Sequence, residues 1–212
     1  MADASNTATV RVWDPLIRIG HWVLVAAFAT AYLSEGEPQW LHSFAGYAIA
    51  VTVAIRIVWG FVGPRRARFS DFVTGPRRVL TYLHDLITGR SERHIGHSPA
   101  GGAMTIALLF ALAMTALSGM ANLAVEEGQG PLAGIVTAQS LPTWMAEEGD
   151  GDEYESGEHG EGNEIIKEVH EFFANGTLLL IFLHLAGVLW ASRAHGENLV
   201  RAMITGRKQS NG

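Results

Sequence analysis

Polar and apolar positions are strongly segregated along this chain. A polar start gives way to an apolar run, "LIRIGHWVLVAAFATAYL", at 16–33. Three more follow: "LHSFAGYAIAVTVAIRIVWGFV" at 41–62, the charge-free "GGAMTIALLFALAMTALSGMANLAV" at 101–125, and "VHEFFANGTLLLIFLHLAGVLWA" at 169–191. A helix needs roughly 20 mostly apolar residues to cross a hydrocarbon layer of about 30 Å. The pattern therefore predicts four membrane-spanning helices and an all-α, integral membrane four-helix bundle spanning 1–205 as one domain. An acidic loop, 126–165, is inserted between spans three and four, and a polar tail, 206–212, closes the chain.

Two segments outside the spans stand out. In "GPRRVLTYLHDLITG", 75–89, Pro76 sits near a helix start and Gly89 just past its end. Val79, Leu80, Leu83, Leu86 and Ile87 fall near one face, which predicts an amphipathic helix. It lies either on the membrane surface or against the protein. The acid- and glycine-rich "AEEGDGDEYESGEHGEGNE", 146–164, reads as a solvated loop.

Composition sharpens this picture. Hydrophobic residues make up 48% of the chain and charged residues 17%, a balance that fits a membrane protein better than a soluble domain. Cysteine is absent, which excludes disulfides, zinc–thiolate sites, iron–sulfur clusters and thiol catalysis. The net charge of −6 hides a segregation of charge, and no strongly basic domain supports nucleic-acid binding. The N-terminus lacks the pattern of a cleaved secretory signal, so the first span is expected to be retained.

Basic residues orient the spans. Arg65, Arg66, Arg68, Arg77, Arg78, Arg90 and Arg93 lie in 63–100; Arg11 and Arg18 flank the first span, and Arg193, Arg201, Arg207 and Lys208 follow the last. The 34–40 loop has no basic residue, and 126–168 has only Lys167. Both termini and the middle loop are thus expected in the cytoplasm, with Trp13, Trp22, Trp59 and Trp190 near that surface and Trp40 near the other.

Ionisable residues inside a span are costly and point to function. His21, His42, His170 and His184 qualify. By the predicted orientation His21 lies near the inner surface, and His42 and His170 near the outer one. His184 lies about 21 Å deeper than His170 along the same helix, within roughly 40° of its direction. The four sort into an inner pair, His21 with His184, and an outer pair, His42 with His170. Paired imidazoles across a bundle suit the two axial positions of a haem iron. Small residues beside them, Gly46 after His42 and Gly187 after His184, leave room for a porphyrin, with Gly20 and Gly176 in similar positions. Arg56, fourteen residues after His42, either pairs with a haem propionate at the inner site or snorkels to the interface. Arg18 has a weaker claim of the same kind. For His97, in "GHSPAGG", the sequence favours an exposed or capping role over a quinone or proton site.

Taken in order, "VWDPLIRIGHW", "HSFAGYAIAVTVAIRIVWGFVGP", "RFSDFV", "GHSPAGGAM" and "HLAGV" resemble the bacterial cytochrome b-561 family, related to the b-type subunit of nickel–iron hydrogenases. The likeness covers about residues 10–205 apart from the 126–165 loop. It implies a four-helix membrane bundle holding two b-type haems, with His21, His42, His170 and His184 at the ligand positions, in the bacterial inner membrane. The expanded acidic loop departs from short members, and the additional span typical of hydrogenase-type subunits is missing.

The expected function is that of a dihaem b-type cytochrome carrying electrons between the quinone pool and an outer partner, a c-type cytochrome drawn to the acidic 146–164 loop. A bound quinone is a further expectation. One alternative is a quinone-linked oxidoreductase acting directly on a small molecule such as superoxide, although a negative loop repels an anion. A third reading, a histidine-lined ion or metal transporter, calls for polar residues at many depths, whereas span three offers only small hydroxyls.

Overall fold

The structure of the protein, a computed structural model, describes residues 9–34, 37–136 and 160–209. Its elements run β1 (Thr9–Arg11), α1 (Pro15–Ser34), α2 (Gln39–Val62), a 3-10 turn (Arg65–Ala67), α3 (Phe69–Phe72), α4 (Pro76–Ile87), α5 (Pro99–Glu127), α6 (Gly160–Ala194), α7 (Leu199–Thr205) and β2 (Arg207–Gln209). Helices α1, α2, α5 and α6 contain the four predicted spans and are long and apolar enough to cross a membrane. Leu33, Phe44, Phe61, Phe110, Phe172 and Leu189 on these helices are exposed, an arrangement suited to hydrocarbon rather than water. The chain is an all-α membrane bundle.

The helices begin where their sequences allow. Asp14 accepts the Ile17 N–H at 3.0 Å ahead of Pro15, so an acidic cap and a proline at the first helical position start α1 together. The second Asp14 oxygen accepts the Trp59 indole N–H at 3.1 Å. Ser98 caps α5 in the same way, accepting the Gly101 N–H at 3.1 Å ahead of Pro99. The α6 helix starts at Gly160, so it takes in the end of the acidic segment 146–164. Residues 137–159, which hold most of that segment and His159, lie outside the described residues.

The chain divides into two compact units. The first comprises 1–26, 51–109 and 179–212; the second comprises 27–50 and 110–178. Each of the four long helices contributes a part to both.

In the first unit an early and a late segment of the chain meet. Strands β1 and β2 pair antiparallel, with Val10 opposite Lys208. The expected polar tail at 206–212 therefore opens as a strand, because its main chain finds a partner near the N-terminus that no local pattern reveals. Val12 N–H donates to Gly206 O at 2.8 Å. Lys208, buried, donates to His94 O at 3.2 Å and stands 3.4 Å from Glu197, which also pairs with Arg93. Burial pushes the Lys208 ammonium below its usual range, with Glu197 acting in the opposite direction. The amphipathic helix α4 buries Tyr82 and Leu86 while leaving Leu80, Leu83 and Ile87 exposed, so one helix combines a protein-packed edge with a bare apolar edge.

In the second unit the core is made of small residues: Ala45, Ala111, Ala116 and Ala124 are buried with Phe28, Ile49 and Leu112. Small side chains let membrane helices approach closely. Polar links also cross between helices: the Thr115 and Thr177 hydroxyls lie 3.3 Å apart, and the Tyr32 hydroxyl donates to Asn175 Oδ1 at 3.1 Å.

Candidate haem-ligating site

His42 on α2 and His170 on α6 face each other within the second unit. Their ring centroids are 6.1 Å apart and their planes stand at 75°. His42 Nδ1 lies 3.0 Å from Ala31 O. His170 Nδ1 lies 3.0 Å from Thr115 O and 3.2 Å from Ser118 Oγ. A carbonyl oxygen only accepts, so Nδ1 of each ring must carry the proton and donate. The Nε2 lone pair of each ring is therefore left to bind a metal. Such main-chain anchoring of Nδ1 is the usual support of a ligating histidine.

The spacing suits one metal ion between the two rings. Metal–imidazole bonds run to about 2.0–2.1 Å, so two rings on opposite sides of one ion stand with their centres about 6 Å apart. Among the described residues no group of three or more His, Asp or Glu side chains could hold a metal ion. A pair of imidazoles suits an ion that brings its own equatorial ligands, as haem iron does. Space is available one turn after His42, since a Cβ added to Gly46 would meet no heavy atom within 4 Å.

The other pair lies in the first unit. His21 on α1 and His184 on α6 both fall within this unit. His21 Nδ1 is buried and has no hydrogen-bond partner, an orphaned polar atom of the kind a bound group satisfies. A Cβ on Gly187, one turn beyond His184, would also meet nothing within 4 Å. Gly20 differs: its Cβ position lies 3.4 Å from Thr52 Cγ2, so this glycine serves the approach of α1 to α2.

The two arginines occupy distinct settings. Arg56 is only 9% exposed; its guanidinium lies 5.2 Å from the Phe69 ring centroid and 5.9 Å from that of Phe72. One of its terminal nitrogens is buried without a hydrogen-bond partner. Arg18 donates to Ile204 O, tying α1 to α7, while its Nε is buried and unpartnered.

The exposed or capping role favoured for His97 does not hold. Ser98 takes the cap, and the His97 ring sits 4.2 Å from Phe72 and 4.6 Å from Trp13. Its Nδ1 is buried without a partner. Burial, reinforced by the Arg56 and Lys208 charges, pushes its pKa from 6.5 to about 3, so the ring is neutral.

Sequence reasoning missed the contribution of α5, a helix that carries none of the four histidines. Thr115, Ser118 and Gly119 fall at i, i+3 and i+4 and so share a face. A Cβ on Gly119 would lie 2.9 Å from His170 Cε1, so only glycine lets the imidazole reach the helix backbone. The signal was present in "TALSG" as hydroxyl and small residues at one-turn spacing.

Comparison with known proteins places these features in context. The family model for prokaryotic cytochrome b561 matches residues 12–206. A probable Ni/Fe-hydrogenase B-type cytochrome subunit from Rhizobium leguminosarum bv. viciae is 24% identical over 155 residues, covering 60% of this chain. The match spans 64% of that relative's length. No solved structure matches the chain.

Proposed function

The chain belongs to the prokaryotic cytochrome b561 family, and from that premise we propose that it is a dihaem cytochrome b carrying electrons across the bacterial inner membrane between the quinone pool and an outer redox protein. The observation that carries this reading is the His42–His170 pair: two imidazoles with centroids 6.1 Å apart, each anchored through Nδ1 to a main-chain carbonyl, which would hold one haem iron between them. His21 and His184 would hold the second haem by the same chemistry. Haem iron supplies one-electron redox chemistry, with a potential set by its ligands, burial and nearby charge.

The chain's own residues do the rest. Main-chain carbonyls hold the outer imidazoles in one tautomer and orientation. Gly46 and Gly187 leave space beside their histidines. Arg56 and Arg18 have unpartnered buried nitrogens that suit the propionates of the inner haem. The distribution of arginine supports an orientation with both termini and α4 in the cytoplasm. There the exposed Leu80, Leu83 and Ile87 would meet the membrane surface.

For the outer partner, the acid content of 146–164 favours a basic c-type cytochrome. The similarity to a hydrogenase cytochrome subunit favours a second reading, a hydrogenase as electron donor. The test is a reduced-minus-oxidised spectrum and a pyridine haemochrome assay on the purified chain, followed by reduction with a quinol and reoxidation by each partner class. Two haems b per chain and quinol-dependent reduction are expected; a chain without haem ends the reading. Reoxidation that ignores salt and the neutralisation of the acidic loop removes the c-type cytochrome.

A further inference from the structure

Building on the outer haem proposed above, we infer that α5 sets the redox potential of that centre through a socket made by Thr115, Ser118 and Gly119 around His170. The directions of the hydrogen bonds define the socket. The Ser118 hydroxyl lies 2.7 Å from Met114 O and 3.1 Å from Thr115 O, carbonyls that can only accept and so take its one proton, which leaves its lone pairs for His170 Nδ1 at 3.2 Å. Thr115 O approaches the same nitrogen at 3.0 Å. One N–H thus meets two acceptors. His42 shows one acceptor, Ala31 O, and His21 Nδ1 has none.

Acceptors at Nδ1 pull its proton outward and raise the electron density at Nε2, so they favour the more oxidised state of the metal bound there. The outer centre is therefore held at a lower potential than its imidazoles alone would give it. Gly119 makes this possible by leaving bare the helix surface against which the ring lies. Thr177 keeps the socket in register. It is fully buried, two turns along α6 from His170 and hence on nearly the same face, and its hydroxyl meets that of Thr115 at 3.3 Å. Ser118 and Gly119 are positioning residues that act through His170.

The experiment is a potentiometric optical titration of the full chain carrying Ser118→Ala, Ser118→Thr or Gly119→Ala, with haem content measured on each. Haem content of the wild type checks the underlying reading separately: fewer than two haems defeats that reading, whatever the variants do. Given two, Ser118→Ala is expected to move the outer midpoint to more positive potential, leave the inner midpoint in place and keep both haems. Ser118→Thr, which retains the hydroxyl, is expected to restore the wild-type value. Selective loss of the outer haem in Ser118→Ala, with retention in Ser118→Thr, supports the socket equally. Gly119→Ala is expected to release the outer haem while sparing the inner one. Unchanged midpoints in Ser118→Ala, equal shifts of both centres, or two unshifted haems in Gly119→Ala would overturn the inference.

Discussion

His42 and His170 face one another with ring centroids 6.1 Å apart and planes at 75°, each turning its Nδ1 away toward a backbone carbonyl. Near-perpendicular imidazole planes on a low-spin ferric ion give a strongly anisotropic EPR signal, unlike the ordinary rhombic signal of parallel rings. Oxidised wild-type protein is expected to show such a signal, and His42→Ala or His170→Ala to remove it together with one of two haems. Persistence of the signal in both variants would assign it elsewhere.

Arg56 carries a buried positive charge with an unpartnered nitrogen. If it faces an inner-haem propionate, its charge stabilises the ferrous state. Arg56→Gln is then expected to lower the inner midpoint and leave the outer one in place, read by redox titration. A side chain that only snorkels would leave both midpoints where they are.

His97 is neutral in the folded chain, with its pKa pushed from 6.5 to about 3. Between these values the unfolded chain binds a proton that the folded chain does not, so stability rises with pH across the window. The contribution is full above 6.5 and is lost as pH falls toward 3. Thermal melts from pH 7 down to pH 4 are expected to show a falling midpoint, with a shallower fall in His97→Phe. Equal slopes would deny His97 this role.

Gly206 adopts φ +76°, and an added Cβ would lie 3.0 Å from Trp13 O. Gly206→Ala therefore combines a left-handed backbone with a close contact where Val12 and Trp13 meet Gly206. A loss of about 1–3 kcal/mol is expected from the backbone alone, seen as a lower melting temperature. Gly89→Ala is a control: it shares the left-handed conformation, at φ +71°, but its Cβ would meet nothing within 4 Å. Gly206→Ala should lose more stability than Gly89→Ala; equal losses would show that the contact contributes nothing.

The spans, and the placing of His42 and His170 at one level, were legible in the sequence, because apolar length and a rise of about 1.5 Å per residue are local properties of a helix. The amphipathic helix was legible for the same reason; its division between buried Tyr82 and exposed Leu80 was not. Tertiary structure alone decided which nitrogen of His170 carries the proton, since the acceptor that settles it, Thr115 O, stands 55 positions away on a different helix. It also decided the packing of His97 against Trp13 and Phe72, and the pairing of β1 with β2. A linear pattern records the period and polarity of each segment. Hydrogen-bond direction, close approach and burial belong to pairs of segments, and they exist only once the helices have packed.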